Sequence, residues 1–394
     1  MFTSQGPITS AVASRSNAAT LDSRALTREL GRARSLLELL SLQERHGDRF
    51  NSFNFSAFWN KFKNLHCGEL GGLQCRLASV CEQTARMLPE LDARAVATIA
   101  HVFAKSKLFG NGPYQGVWAA LDEAARCKLG GFNPQDLSNT VWAFAKAGHA
   151  APALFDLISA AVVRRGLGGS KEQNLSNTAW AFATVGHASP ELLNAISAEA
   201  VRWRLGGFDS QQLSNLAWAF AVFNPLSADE LFSPPSFVTR CALLEATFSH
   251  SSLAQLHQWS LWREERGAPW PELPRALRHA CRDAFISQGE KPSRLQAEVV
   301  QEIRSHDARV KEEHRCEASG YSIDALVTLK TGEQIAVEVD GPSHFLGRSH
   351  QPTGASLLKH RQLRHFCRRL ESVSYWDWDR SKELHWLPQR EEKR

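Results

Sequence analysis

The chain has 394 residues, of which 43% are hydrophobic and 22% charged, and 46 Lys+Arg against 41 Asp+Glu give a net charge of +5. This composition predicts an ordinary globular protein of two or three domains, and its mildly basic balance permits nucleic-acid binding without establishing it. No apolar run is long enough to span a bilayer. The eight cysteines include no Cys-x-x-Cys pair, which argues against a zinc site and suits a reducing compartment.

The first 20 residues contain no acid and are rich in Ser, Thr and Ala, with Arg15 as their only basic residue. Such a composition is typical of the start of an organelle transit peptide, although it is short of arginine, and a disordered N-terminus explains it as well. The leucines and arginines between Asp22 and about His46 then predict a helix.

A nine-residue motif, Leu-Ser-Asn-x-x-Trp-Ala-Phe-Ala, begins at Leu137, Leu175 and Leu213. Its tryptophans lie 38 residues apart (180 − 142 and 218 − 180), a period that predicts an α-helical repeat solenoid. Each unit is predicted to contain two helices. The first begins near Asn133-Pro134, Ser170 or Asp209, and the second stops at a Gly-Gly pair.

Degenerate copies extend this pattern toward the N-terminus. Residues 97–105 match the motif with His101 at the tryptophan position, and residues 55–62 resemble the first helix of a further unit. The predicted array covers residues 21–225, with clear units from about residue 132. Prolines 225, 234 and 235 interrupt it, so residues 226–290 are predicted to form an irregular helical adaptor.

Three sets of repeat residues are candidates for core packing or ligand contact. The Trp and Phe of the motif are expected to pack in the core rather than stack on bases. Basic residues that close the second helices either complement helix C-termini or form a positive row for an RNA backbone; they are Arg126, Lys128, Arg164, Arg165, Arg202 and Arg204. The polar residues Asp136, Asn174 and Gln212 share one register but differ between units, which predicts base-edge reading.

After Pro292 the periodicity changes to that of a mixed α/β domain, assigned to residues 291–390. A helix is predicted over 295–303, then strands near 310–315, 321–329 and 334–340, a helix over 357–370 and a short strand at 372–375. The order α-β-β-β-α-β describes a small mixed sheet.

A group of carboxylates lies at the end of this predicted sheet. Glu338 and Asp340 share one face of a strand, and Asp324 on the preceding strand is placed to meet them. Three such acids are what a magnesium-dependent phosphodiesterase needs to hold its metal. His344 follows closely, and Lys359 belongs to a basic helix with Arg361 and Arg364; these basic residues are candidate RNA contacts.

Residues 335–345 (IAVEVDGPSHF), 358–363 (LKHRQL) and 375–378 (YWDW) together resemble a RAP domain. The repeat array resembles octotricopeptide repeats and the helical region of FAST-kinase-like mitochondrial proteins. The resemblance implies a restriction-endonuclease-like fold and, by the PD-(D/E)xK pattern, Asp324, Glu338 and Asp340 as catalytic and metal-binding residues. The lysine of that pattern falls at Asp340, so Lys359 is the candidate to replace it.

Members of these families are organellar RNA-binding factors that stabilise, process or help translate transcripts. The resemblance therefore implies single-stranded RNA as ligand, organellar ribosome or RNA-granule proteins as partners, and a mitochondrial or, alternatively, a chloroplast location. Three functions remain open: an RNA-binding adaptor without a cofactor, a Mg²⁺-dependent RNA endonuclease, and a protein-binding helical scaffold. The recurring basic positions favour RNA over protein.

Overall fold

The computed structural model describes residues 22–387, except for residues 66–70, 109–112, 288, 290–291, 307 and 348. The predicted targeting or disordered segment at residues 1–20 therefore lies outside the described residues. Within the described part, no helix combines the length and apolar character needed to cross a bilayer.

The described chain is helical up to residue 305 and then forms a small mixed sheet with two further helices. The helices before the sheet are α1 (Ser23–Arg32), α2 (Leu36–His46), α3 (Ser52–Leu65), α4 (Gln74–Met87), α5 (Ala93–Lys105), α6 (Pro113–Lys128), α7 (Pro134–Ala147), α8 (Pro152–Arg165), α9 (Glu172–Thr184), α10 (Pro190–Arg202), α11 (Ser210–Phe223), α12 (Ala228–Phe232), α13 (Ser236–Leu243), α14 (His250–Glu265), α15 (Arg275–Ile286) and α16 (Arg294–Ser305). The remaining elements are β1 (Arg309–Arg315), β2 (Ser322–Thr328), β3 (Gln334–Asp340), α17 (Gly354–Phe366), β4 (Leu370–Ser374) and α18 (Tyr375–Ser381).

Most of the helices up to α15 form two layers. In the layer here called the inner layer, α1, α3, α5, α7, α9, α11 and α14 each pack against the next. In the outer layer, α2, α4, α6, α8, α10 and α12 do the same. The inner layer continues from α11 to α14, past the predicted boundary near residue 225, whereas the outer layer ends at α12 and α13 and α15 follow neither series. The predicted helix over 22–46 is divided into α1 and α2.

Local capping explains where the inner helices begin. Asn133 and Asp136 form a reciprocal capping box at the start of α7, and Asp209 and Gln212 form another at α11. The N-cap of α9 is Lys171, one residue after the predicted Ser170. Gly148 ends α7 with φ +64°, a left-handed conformation that favours glycine at a helix C-terminus.

The sheet has the order β1-β2-β3-β4, with antiparallel pairing of β1 to β2 and of β2 to β3, and parallel pairing of β3 to β4. Its strands agree with the predicted ones. The helix α17 ends at Phe366, four residues before the predicted end at 370, because the chain enters β4 at Leu370. Tyr375 begins α18 instead of ending a strand, and Ser374 caps that helix.

The α/β unit is held against the inner layer through α17. Arg361 donates to the carbonyl of Val222 at 2.7 Å and pairs with Glu265 at 2.7 Å. A Cβ at Gly354 would lie 1.7 Å from the carbonyl oxygen of Ala183, so only glycine fits where α17 meets α9. These contacts place one face of the sheet beside the inner helices.

Candidate nucleic-acid interface

A cleft of about 740 Å³ separates the inner layer from the α/β unit. One wall comes from α7, α9, α11 and α14, and the other from β2 and the segment 343–359. Its charged lining side chains are Lys146, Arg315 and Lys359, and among the described lining residues none is Asp or Glu. In a chain with 41 acids, a cleft lined by cations alone favours an anionic ligand.

The tryptophans of the repeat motif lie on the cleft wall. Trp142 and Trp180 are half-buried, and Trp218 is 6% exposed. The phenylalanines two positions later in each copy, Phe144, Phe182 and Phe220, are buried in the core. Trp142 and Trp180 pack against the core as expected, but each also lines the cleft, whereas the phenylalanines are enclosed, since two residues along a helix turn the side chain by about 200°.

Aromatic side chains on successive inner helices line this wall, and His101 extends their row beside Trp142, outside the cleft lining. The ring centres of Trp142 and Trp180 are 6.4 Å apart, with planes inclined by 32°, and His101 lies 5.3 Å from Trp142. Burial lowers the pKa of His101 to about 4, with contributions from Lys105 and Lys63, so this imidazole is neutral at physiological pH. We call His101, Trp142, Trp180 and Trp218 the aromatic ladder.

The carboxylate cluster lies where β3 ends, and the predicted sharing of a face is confirmed. Glu338 and Asp340 both contact residues of α17, at Lys359 and His360 respectively. In the antiparallel pairing of β2 with β3, Ala325 lies opposite Val337. The next pair in this register therefore places Asp324 beside Glu338. The Asp324 carboxylate, however, accepts a 2.6 Å hydrogen bond from the Val339 N–H.

Polar side chains surround the Asp340 carboxylate on three sides. His344 Nδ1 lies 2.7 Å from Oδ1, His360 Nε2 lies 3.2 Å from Oδ2, and the Ser372 hydroxyl donates to Oδ2. Burial alone would raise the pKa of Asp340, but these neighbours hold it well below its usual range. The carboxylate is therefore ionised, and it fixes the orientation of the His344 ring at the cleft.

Glu338 is 0% exposed, and its carboxylate pairs with one described cation, Lys359. Lys359 Nζ lies 2.7 Å from its Oε2, so α17 supplies the lysine that the strand lacks. Burial raises the pKa of Glu338 to about 8, although Lys359 opposes that shift. Its Oε1 accepts no hydrogen bond from any residue that the structure describes.

The carboxylates do not fit a magnesium site in this arrangement. Mg²⁺ keeps several waters and an octahedral oxygen shell, whereas Glu338 and Asp340 are closed to solvent and paired with basic side chains. Within the described residues, no three His, Cys, Asp or Glu side chains are grouped so as to hold a metal ion. The catalytic and metal-binding roles of Asp324, Glu338, Asp340 and Lys359 remain predictions.

The predicted basic row divides into two groups. Four members have structural partners: Lys128 donates to the Pro89 carbonyl and Arg165 to that of Phe132, while Arg126 pairs with Asp122 and Arg202 with Glu199. Arg164 and Arg204 are exposed, and neither has a hydrogen bond or ion pair with a described residue. These two remain candidates for phosphate contact.

The predicted base readers are N3 residues of the inner helices. Asp136 accepts from the Asn133 N–H, Asn174 from the Lys171 N–H and Gln212 from the Asp209 N–H. Asp136 is buried, which leaves little of its side chain free to meet a base edge. Base recognition by these residues stays a prediction, and each already has a capping role.

The RNA contacts predicted in the α/β unit lie in different surroundings. His344 lines the cleft, whereas Arg361 joins α17 to α11 and Arg364 is exposed.

The sequence analysis did not identify the cleft residues Lys146 and Tyr321. The only available signal for Lys146 was its position four residues after Trp142, which places both on one helix face. Tyr321 joins the cleft through hydrogen bonds to Gln258 and Gln362, which lie far away in sequence.

Comparison with known families locates the α/β unit. The RAP domain family model matches residues 337–386, which span β3, α17, β4 and α18. No curated protein matches the chain. The RAP domain is assigned to RNA binding, which is consistent with a role in RNA metabolism. The chain thus carries a RAP domain whose first strand bears Glu338 and Asp340 and whose helix bears Lys359, beside a helical region compatible with repeats.

Proposed function

We propose that this protein is an organellar RNA-binding factor that holds single-stranded RNA in the cleft between its helical layers and its RAP domain. In this proposal the RAP domain is a binding module, and bound RNA is stabilised, processed by other factors or presented for translation. The helical part would belong to the octotricopeptide-like solenoids, and the RAP domain to the restriction-endonuclease-like folds.

The mitochondrial or chloroplast location rests on family resemblance, and import of a reporter carrying residues 1–21 would test it.

The observation that carries this proposal is the charge of the cleft lining. Lys146, Arg315 and Lys359 approach from both walls without a lining carboxylate among the described residues. The two most buried acids behind the RAP wall, Glu338 and Asp340, are paired with Lys359, His344 and His360. Lys359 is thereby paired with Glu338, so the cations that a phosphate backbone in the cleft would meet are chiefly Lys146 and Arg315.

The first prediction separates the cleft from the outer basic row. Lys105 lies 5.0 Å from the Trp142 ring centre, and both Lys105 and Lys146 are exposed. Replacing Lys105→Gln and Lys146→Gln together should flatten the slope of log affinity against log salt by up to about 1.4, or roughly 0.7 for each phosphate that is no longer neutralised. The measurement is the affinity for a labelled single-stranded RNA over a series of salt concentrations.

The matched control replaces Arg164→Gln and Arg204→Gln, which removes two exposed charges from the ends of outer-layer helices. If RNA lies in the cleft, this variant keeps the wild-type slope. A flattened slope in the control together with an unchanged slope in the lysine variant would move the RNA to the outer basic row. A wild-type protein that binds no RNA at any salt concentration would contradict the function and favour the protein-binding scaffold.

The endonuclease alternative is favoured by one observation, the shared orientation of Glu338 and Asp340 toward α17 behind the cleft wall. We expect no cleavage of labelled single-stranded RNA in Mg²⁺ or Mn²⁺, and RNA binding that persists in chelator, because the carboxylates are enclosed and paired. Metal-dependent cleavage that Glu338→Gln abolishes while binding stays intact would establish the nuclease instead. Cleavage that survives both Glu338→Gln and Asp340→Asn would indicate contamination or another site.

A further inference from the structure

The aromatic ladder has a regular origin in the sequence. His101, Trp142, Trp180 and Trp218 each lie nine positions after the N-cap of their own inner helix (101 − 92 in the first of them). Equal positions on successive parallel helices place the side chains in a row along one wall. In the next inner helix, α14, the same position is Gln258, which hydrogen-bonds Tyr321 on the RAP side and ends the row.

Trp218 is buried in the core, but the other two ladder tryptophans are only partly enclosed by packing. The core positions of α7, α9 and α11 are filled by phenylalanine and alanine, which leaves Trp142 and Trp180 half-buried with part of each indole on the cleft. Their ring centres are 6.4 Å apart and the planes are inclined by 32°, so neighbouring helices present two indoles side by side on this wall.

Cations accompany the indoles. Lys105 lies against the Trp142 ring at 5.0 Å, Lys146 follows Trp142 by one helical turn, and Lys359 faces them from the RAP domain. Aromatic faces with a basic groove alongside are the features by which proteins hold unpaired nucleotides: bases stack on the rings while the backbone follows the positive charge. A proline-rich peptide also uses aromatic grooves, but it lacks the negative charge that this lining complements.

We propose that the half-buried pair of the aromatic ladder, Trp142 and Trp180, is a base-stacking site that selects unpaired RNA with little preference for base identity. This inference rests on the proposed binding of single-stranded RNA and adds the mode of recognition and the residues that perform it. Duplexes are excluded because their bases are stacked on each other and present no free face to the indoles. Sequence preference, if present, then comes from residues other than the ladder.

The test compares the full-length wild type with Trp180→Leu, Trp180→Phe and the control Trp203→Leu. Trp203 is also half-buried and packs on the same core, but it does not line the cleft. The probes are a labelled oligouridine, an RNA hairpin duplex, and an abasic ribose-phosphate strand of the same length. Affinities are measured over a salt series, and thermal unfolding is recorded for every variant.

We expect Trp180→Leu to weaken oligouridine binding by about 5- to 150-fold, the loss of one stacked base. Its salt slope should match the wild type because no charge is removed. Trp180→Phe should retain most of the affinity, and Trp203→Leu all of it. The wild type should bind the abasic strand and the duplex weakly. This comparison uses only the wild-type protein, so it does not depend on whether a variant folds.

Different failures have different meanings. If the wild type binds oligouridine but Trp180→Leu binds equally well, or the abasic strand binds as tightly as the oligouridine, the ladder is overturned while RNA binding stands. If the wild type binds no RNA and a proline-rich peptide instead quenches its tryptophan fluorescence, both the ladder proposal and the RNA-binding function fail. Equal losses in Trp180→Leu and Trp203→Leu, with lowered melting temperatures, would assign both residues to packing.

Discussion

Replacing Phe182→Ala should lower the free energy of unfolding by about 3–5 kcal/mol, the usual cost of removing a buried aromatic side chain. Phe182 is 1% exposed and meets Phe155 of the outer layer edge-on, with ring centres 4.9 Å apart. The substitution therefore leaves a cavity between the inner helix of one repeat and the outer helix of the preceding one. Thermal and denaturant unfolding followed by circular dichroism would measure the loss.

Two substitutions serve as comparisons for Phe182→Ala. Leu157→Ala removes an apolar side chain from α8 that is 42% exposed, and it should change stability little. Trp180→Ala should cost less than Phe182→Ala, because part of the indole already faces the cleft. A larger loss for Trp180→Ala than for Phe182→Ala would contradict the division of the motif into a core residue and a cleft residue.

Replacing Lys359→Met should destabilise the protein by about 3–5 kcal/mol at alkaline pH, where it leaves an ionised carboxylate buried without its partner. Glu338 is fully buried, and Lys359 is its cation at 2.7 Å. Adding Glu338→Gln to Lys359→Met removes the buried charge, so the double variant should recover most of the loss. The measurement is a double-mutant cycle of unfolding free energies.

The pH dependence follows from the raised pKa of Glu338, about 8 against an ordinary value of 4.5. Between these values the folded protein binds a proton that the unfolded chain has released, so this contribution to stability is fully present below about pH 4.5 and is lost as the pH rises through about 8. In Glu338→Gln the contribution is absent, and the variant should lose less stability than the wild type over this range. An identical pH profile for the two proteins would contradict the assignment.

The features that the sequence determined are those set by short-range geometry. The repeat period, the caps at Asn133 and Asp209 and the antiparallel strands depend on residues a few positions apart, so their patterns are readable along the chain. Glu338 and Asp340 were predicted to share a face for the same reason, because alternate residues of a strand point the same way.

Tertiary structure decided which side chains lie in the core, which line the cleft and which form ion pairs. Trp180 and Phe182 are both large aromatics on one helix, and only the position of the second layer and of the RAP domain makes one a cleft residue and the other a core residue. Lys359 lies 21 positions after Glu338 (359 − 338), and its ion pair depends on how α17 packs on the sheet. Such contacts form only after loops close over long stretches of chain, and their partners are therefore not encoded in any local pattern.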